Sequence, residues 1–273
     1  ILGYGSSISG LNRNNNSINI GFQGIYGIFF LIIYSYLSHF FIPHSLTHNS
    51  IILLIGIFLF IFNFKKKFNK SFKILIINFV ILFIGLLIFK THDDFPYYHF
   101  AYSYYLTQDP MIIGVGQYNH GFRTPSSIFY LNSLFYLPFI KYFSFYIPTL
   151  LILGFANLIL LFNLKVNFET KKFDYLFYLS ILFFSFYNIF FYRIQEHGTD
   201  RSAQILIAIL LINILTFINF DKNYKFQINN ILVLLGVIIS LKAFYILYLV
   251  IILPVIWIIF KNRRIKSIFF YLF

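Results

Sequence analysis

The sequence predicts an all-α, polytopic membrane protein of about eight spans, and three observations carry that expectation. Hydrophobic residues make up 59% of the 273 residues and charged ones 11%, against about 25% charged in an ordinary soluble domain. Several apolar runs approach the roughly 20 residues an α-helix needs to cross a bilayer. The basic residues, which give a net charge of +13, fall in short clusters between those runs. That placement suits anionic headgroups and topology control rather than nucleic acid. The chain has no cysteine, which excludes disulfides, thiolate metal sites and a cysteine nucleophile. Its 40 Phe and 22 Tyr read as a base-composition bias, so single aromatics carry little weight.

Taken in order, the apolar runs are 24–42, 50–64, 72–89, 146–164, 174–192, 202–219, 229–241 and 243–260. Basic segments 65–73, 165–172, 221–225 and 261–266 hold 14 of the 21 Lys and Arg, and the positive-inside rule assigns them to the cytoplasm. Counting crossings from there, span 72–89 delivers HDDFPYYH (92–99) to the outer face. A single crossing, 146–164, returns the chain before 165–172, which leaves 90–145 as one long outer loop. Within it SSIFYLNSLFYLPFI (126–140) is short for a span and fits an interfacial or re-entrant helix. Span 174–192 then puts RIQEHGTDR (193–201) outside, and 229–260 makes a hairpin with its tip near SLKAF (240–244).

Three regions follow. Residues 1–71 hold two spans with no assigned role, 72–260 form the core, and 261–273 are a cytoplasmic loop and the start of a further span. The chain begins with Ile and stops inside FFYLF, and is expected to be a piece of a longer one. Neither a repeat of 20–50 residues nor a matched pair of broken hydrophobic segments is visible.

On this topology Asp93, Asp94, Asp109, Glu196, Asp200 and all seven histidines share the outer side. Asp93 and Asp94 are neighbours, so on a helix they point about 100° apart and serve different ends. One faces a cleft as a general base while the other caps the helix that Pro96 begins; a cap alone is the plainer account. His92, Asp93, Asp94 and His99 are divalent-metal donors without diagnostic spacing, so a metal stays an open question. GVG (114–116) is a turn rather than a phosphate loop. In RIQEHGTDRS, capping accounts for one acid but not for Glu196, Asp200 and two arginines together. Lys242, between VLLGVIISL and AFYILYLVII, must snorkel or meet an anion, for which a lipid phosphate is suited.

These stretches resemble the GT-C class of membrane glycosyltransferases, especially its protein mannosyltransferase and aminoarabinose transferase branch. Asp93-Asp94-Phe-Pro-Tyr97 is similar to the Asp-Glu-x-x-Tyr signature of that branch's first outer loop. FRTPSSIFY (122–130) is similar to its Lys-Pro-Pro-Leu-x-Tyr stretch, with Thr124 in place of the lysine and Ser126 in place of the second proline. Arg193 and Asp200 resemble a later Arg and a span-opening Asp, and LKAFYILYLVIILP (241–254) resembles a Leu-x-Lys-Gly element followed by Leu-Pro, with Ala243 for Gly. The resemblance covers about residues 72–260.

It implies transfer of a sugar, with inversion, from a polyprenyl-phosphate carrier to a glycan, lipid or protein acceptor. The reaction would take place on the outer face of a bacterial cytoplasmic membrane. Asp93 would be the base with Asp94 beside it, Tyr97 would belong to the signature, and Arg123, Arg201 and Lys242 would meet the lipid phosphate. Asp200 or Glu196 would hold sugar hydroxyls. No cofactor is required by this reading, although a divalent metal fits it. A lipid-linked-sugar transporter or flippase, a polysaccharide polymerase or ligase, and a non-catalytic membrane assembly subunit are the rival readings.

Overall fold

The computed structural model describes residues 1–10, 19–64, 70–88, 90–123, 126–219 and 224–261. The basic stretches 65–69, 221–223 and 262–266, Thr124, and the expected further span after 261 lie outside the described residues. What is described is helical, without a β-strand.

Each expected apolar run is a helix. The first two are α2 (Ile20–His39) and α3 (Leu46–Phe64), preceded by an unforeseen α1 (Leu2–Gly10). Then come α4 (Lys70–Leu86), α5 (Phe100–Gln108) and α6 (Ser127–Leu134) in the long middle segment, and α7 (Ile147–Thr170). The chain continues through α8 (Tyr175–Phe190), α9 (Asp200–Asn219), α10 (Tyr224–Leu241), a 3₁₀ stretch Ala243–Ile252 and α11 (Leu253–Lys261). Local chemistry sets several boundaries. The Asn19 side chain caps α2 by accepting from Gly21 N–H, and Asp174 caps α8 by accepting from Phe177 N–H. Pro148 opens α7, and Lys171 ends it in the left-handed region.

Among the described residues, five segments are long and apolar enough to cross a membrane: Ile20–His39, Leu46–Phe64, Tyr142–Thr170, Asp200–Asn219 and Ala243–Phe260. α7 is the axis. Ile152, Leu153, Ala156, Ile159 and Leu160 are fully buried, and it packs on α2, α4, α8 and α9. Helices already surrounded by apolar material gain little from burying more of it, so polar contacts and close packing hold the bundle. Asn157 and Asn188 exchange hydrogen bonds of 2.9 and 3.1 Å between α7 and α8, Asn78 donates to Gly154 O at 3.1 Å, and Tyr26 donates to Asn230 at 3.0 Å. Interhelical bonds of this kind contribute about 0.6 kcal/mol each. By contrast α3 and α4 turn Leu54, Phe58, Ile81 and Ile84 outward. An apolar face of that size suits hydrocarbon, not water.

The middle segment differs from expectation in one respect. An interfacial helix would keep one flank open, yet all eight residues of α6 are buried against α2, α5, α7 and α10. Its serines explain this. Ser126 Oγ–H donates to Leu241 O, Ser127 Oγ lies 3.0 Å from Ser240 Oγ, and Ser133 Oγ–H donates to Tyr130 O at 2.8 Å. Polar groups that meet partners inside can be buried at little cost, so α6 sits within the bundle. Ser126, standing where the resembled motif has proline, forms one of these ties.

Candidate functional site

Four segments far apart in the sequence meet at one end of the bundle. They are the stretch after α4, the turn before α6, the loop between α8 and α9, and the break after α10.

The first is built on an unusual turn. After α4 the chain makes a π-helical turn, Phe95–His99, before α5; His99 N–H donates to Asp94 O at 3.4 Å. Bonding from i to i+5 widens the turn and brings residues five apart closer to one face than an α-helix does, which would place them about 140° apart. Asp94 and His99 thus face the same space. Asp94 occupies the N-cap position but its side chain caps nothing. Its Oδ2 accepts instead from Tyr98 Oη–H at 3.1 Å, and its amide donates to His92 Nδ1 at 3.1 Å. His92 and His99 stack with ring centroids 5.0 Å apart. Burial, and then the neighbouring His92, push His99 down to about 4, so it is neutral near pH 7. Burial, the bond to Asp94 and the charges of Asp94 and Asp200 push Tyr98 up to about 12.

The turn before α6 rests on this segment. The Gly121 backbone lies so close to the Tyr98 ring that a Cβ would come within 2.3 Å of it. Asn119 Nδ2–H donates to Tyr97 O at 3.1 Å.

The loop Arg193–Thr199 supplies the third part. His92 N–H donates to Gln195 O at 3.3 Å, and Gln195 Nε2–H donates to Leu86 O at 2.7 Å, which ties the loop to the end of α4. Glu196, 8% exposed, is ringed by Arg201 at 2.8 Å, Arg193 at 3.0 Å and Lys90 at 3.2 Å. Burial alone would raise its pKa; the bonds from Arg201 and Lys90 and the charge of Arg193 outweigh that and hold it below the usual carboxylate range. Three cations around one carboxylate leave a surplus of two positive charges. Gly198 follows in the left-handed region at φ +52°, its Cα against His92 and His99.

The fourth part is the break after α10. Lys242 is extended, and its Nζ donates to Asp200 Oδ1 and Oδ2 at 2.6 and 2.8 Å, while Tyr245 Oη–H reaches Asp200 at 3.5 Å. Within the chain, the anion that Lys242 meets is the Asp200 carboxylate.

Of the residues expected to act, His92, Asp94, His99, Glu196, Asp200, Arg201 and Lys242 are gathered here. Asp93 is exposed and its side chain has no hydrogen bond or ion pair among the described residues. Tyr97 is 74% exposed and its neighbour Tyr98 makes the carboxylate contact instead. Arg123 is exposed and donates to Gly116 O at 3.3 Å, with no contact to the cluster. Tyr98 and Tyr245 were not foreseen.

Among the described residues, fold and site together define an all-helical protein, with five helices long and apolar enough to cross a membrane and a charged, histidine-containing cluster at one end of the bundle. Over residues 1–273 the chain belongs to the family described as Domain of unknown function (DUF8201). No curated protein and no solved structure matches it.

Proposed function

We propose that the chain is a membrane glycosyltransferase that moves a sugar from a polyprenyl-phosphate carrier to an acceptor, at the cluster described above. The observation that supports this reading is that the stretches resembling the transferase branch of the GT-C class, 93–97, 122–130, 193–200 and 241–254, are tied to one another: His92 N–H donates to Gln195 O, Lys242 to Asp200 and Ser126 Oγ–H to Leu241 O.

The five long apolar helices and the three shorter ones, Phe72–Leu86, Tyr175–Phe190 and Gln227–Leu241, supply eight spans. With positive segments inside, the cluster lies on the outer face of a bacterial cytoplasmic membrane. Residues 72–260 are the transferase core, with 90–145 as its outer segment. In the reaction the acceptor hydroxyl gives its proton to Asp93, the carboxylate left without a partner, as its oxygen attacks the anomeric carbon. The bond from that carbon to the carrier's phosphate oxygen breaks, and the phosphate leaves with the electron pair. Covering by substrate takes Asp93 out of water and strengthens it as a base.

The phosphate's charge is met by the surplus on Lys90, Arg193 and Arg201. Lys242 and Asp200 act as a pair, with Asp200 free to accept from a sugar hydroxyl through the lone pairs that Lys242 leaves open.

Membranes carrying the chain are to be incubated with a panel of radiolabelled polyprenyl-phosphate sugars and the release of polyprenyl phosphate followed. Wild type should consume at least one donor, and Asp93→Asn should be slowed about 10²-fold or more. Equal consumption by wild type and Asp93→Asn would remove Asp93 from the mechanism, and no consumption of any donor would remove the function.

A further inference from the structure

The geometry points to a divalent transition-metal site formed by His92, Asp94 and His99, which does not rest on the transferase reading. One donor atom from each of the three lies within 4.8 Å of the others. The two nitrogens and one oxygen come from a single stretch, His-x-Asp-x₄-His, and its order is accounted for by the π-helical turn. Asp94 and His99 are brought toward one side by that turn, and His92 is folded back toward them by the bond from its own N–H to Gln195 O at 3.3 Å.

Three further features fit a metal. Asp94 Oδ2, the oxygen 3.9 Å from His92 Nδ1, also accepts from the Tyr98 hydroxyl at 3.1 Å, which fixes the carboxylate while leaving a lone pair for a ligand bond; such outer contacts are what hold metal carboxylates in place. Gly198 leaves one side of the triad open. A Cβ there would stand 3.2 Å from His92 Cδ2 and 3.4 Å from His99 Cε1, so the position that any other residue would fill is kept clear. With two imidazoles and one carboxylate, the donor set favours zinc, cobalt, iron or manganese over magnesium or calcium. Bonds of about 2.0–2.2 Å need donors roughly 3–3.5 Å apart, so the triad must close by about 1 Å. Asp94 and His92 have side chains 48% and 34% exposed and room to make that rotation, while His99 is buried and acts as the fixed member. Three protein ligands leave positions for water or a substrate oxygen.

The division also explains why two aspartates stand together. Asp94 is turned into the triad, and Asp93 stays free.

The test is cobalt binding by the full chain, purified in detergent without a polyhistidine tag and stripped with a chelator. We expect one Co²⁺ per chain with visible ligand-field absorption, displaced by Zn²⁺. Asp94→Asn and His99→Gln should each weaken binding roughly 100-fold, and His120→Gln, at an exposed histidine nearby, should leave it unchanged. Because a ligand variant can misfold, His92→Cys provides a positive readout: a thiolate-to-cobalt charge-transfer band should appear at the same stoichiometry. No binding below millimolar Co²⁺, binding unaffected by the ligand variants, or a His92→Cys protein that binds without the new band would each overturn the site. The readout needs no turnover, so failure of the transferase reaction leaves it intact, and its own failure leaves the transferase reading standing.

Discussion

Lys242 Nζ holds both carboxylate oxygens of Asp200, at 2.6 and 2.8 Å, and so joins the end of α10 to the beginning of α9. Each side chain is a little under half exposed. A pair that wet contributes about 0–1 kcal/mol to stability, and the packing of α9 on α10 holds the hairpin without it. Lys242→Met should therefore lower thermal stability in detergent only slightly while donor consumption falls at least tenfold. The charge-swapped double variant Asp200→Lys with Lys242→Asp should restore the small stability loss and not the activity. If the single variant unfolds the protein, the pair is a structural clamp rather than part of a site.

Glu196 is the opposite case, a buried carboxylate among three cations. Its removal leaves Lys90, Arg193 and Arg201 facing one another, and Glu196→Gln should cost about 2–4 kcal/mol. Its folded pKa is depressed, so the unfolded chain binds the proton more readily. The stabilisation is fully present above the unfolded value of 4.5 and is lost as pH falls below it through the folded value. Melting temperatures measured downward from pH 5 should fall for wild type, and the Glu196→Gln protein should lack that part of the slope.

At Gly198, with φ +52°, an alanine would carry left-handed strain of about 1–2 kcal/mol and press its Cβ against the two histidine rings. Gly198→Ala should fold, with a melting temperature a few degrees lower, and should weaken cobalt binding more than any substitution at Thr199 does. Equal effects at the two positions would mean that the open space beside the rings is incidental.

How far the sequence discloses this arrangement can be judged from particular residues. The apolar runs are bounded by charge, so each is helical with ends within about six residues of those expected, 243–252 being a 3₁₀ stretch rather than an α-helix. α1 was missed because GYGSSISG has too few large apolar residues to register as a run. It forms because glycines allow close contact: a Cβ on Gly3 would lie 2.2 Å from Gly56 O, and one on Gly5 would lie 1.7 Å from Gln23 O. Segment convergence was legible because counting crossings puts 92–99, 193–201 and 242 at one end. Pairing was not legible. Hydropathy says that Lys242 needs an anion, but only the packing of α9 on α10 says that the anion is Asp200. Likewise the choice of Tyr98 over Tyr97 depends on a π-helical turn that no propensity announces.

His44 shows the same limit, since the sequence places it in a loop and the structure buries it completely. Its Nδ1 lies 2.6 Å from Ser133 Oγ and its Nε2 3.0 Å from Ser38 Oγ, a neutral ring bridging α2 and α6. Burial, then His39 and His48, push it down to about 3. With the folded pKa below the unfolded value of 6.5, its contribution is complete above pH 6.5 and is lost as pH falls toward 3. His44→Ala should cost about 2–4 kcal/mol through the cavity and the loss of its hydrogen bonds to Ser133 and Ser38. Stability of the variant between pH 6.5 and 5 should then vary less than that of wild type.

The orientation of the cluster is open to a direct measurement, because the chain has no cysteine of its own. Ser103 is buried and makes a poor reporter for the middle segment, whereas Ile113 is 94% exposed in the same segment. Ile113→Cys, Thr199→Cys and Glu169→Cys, each expressed alone, should be treated in intact cells with a membrane-impermeant maleimide. The first two positions lie in segments that the fold brings to one end of the bundle, and Glu169 lies at the far end of α7. Ile113→Cys should label readily and Thr199→Cys, half-buried, more slowly, while Glu169→Cys should label only after the membrane is opened. Labelling of Glu169→Cys alone would invert the protein and place the cluster in the cytoplasm, away from a donor presented outside. Labelling of Ile113→Cys and Thr199→Cys from opposite sides would contradict the hydrogen bond between His92 and Gln195 that ties their segments together, and with it any common site.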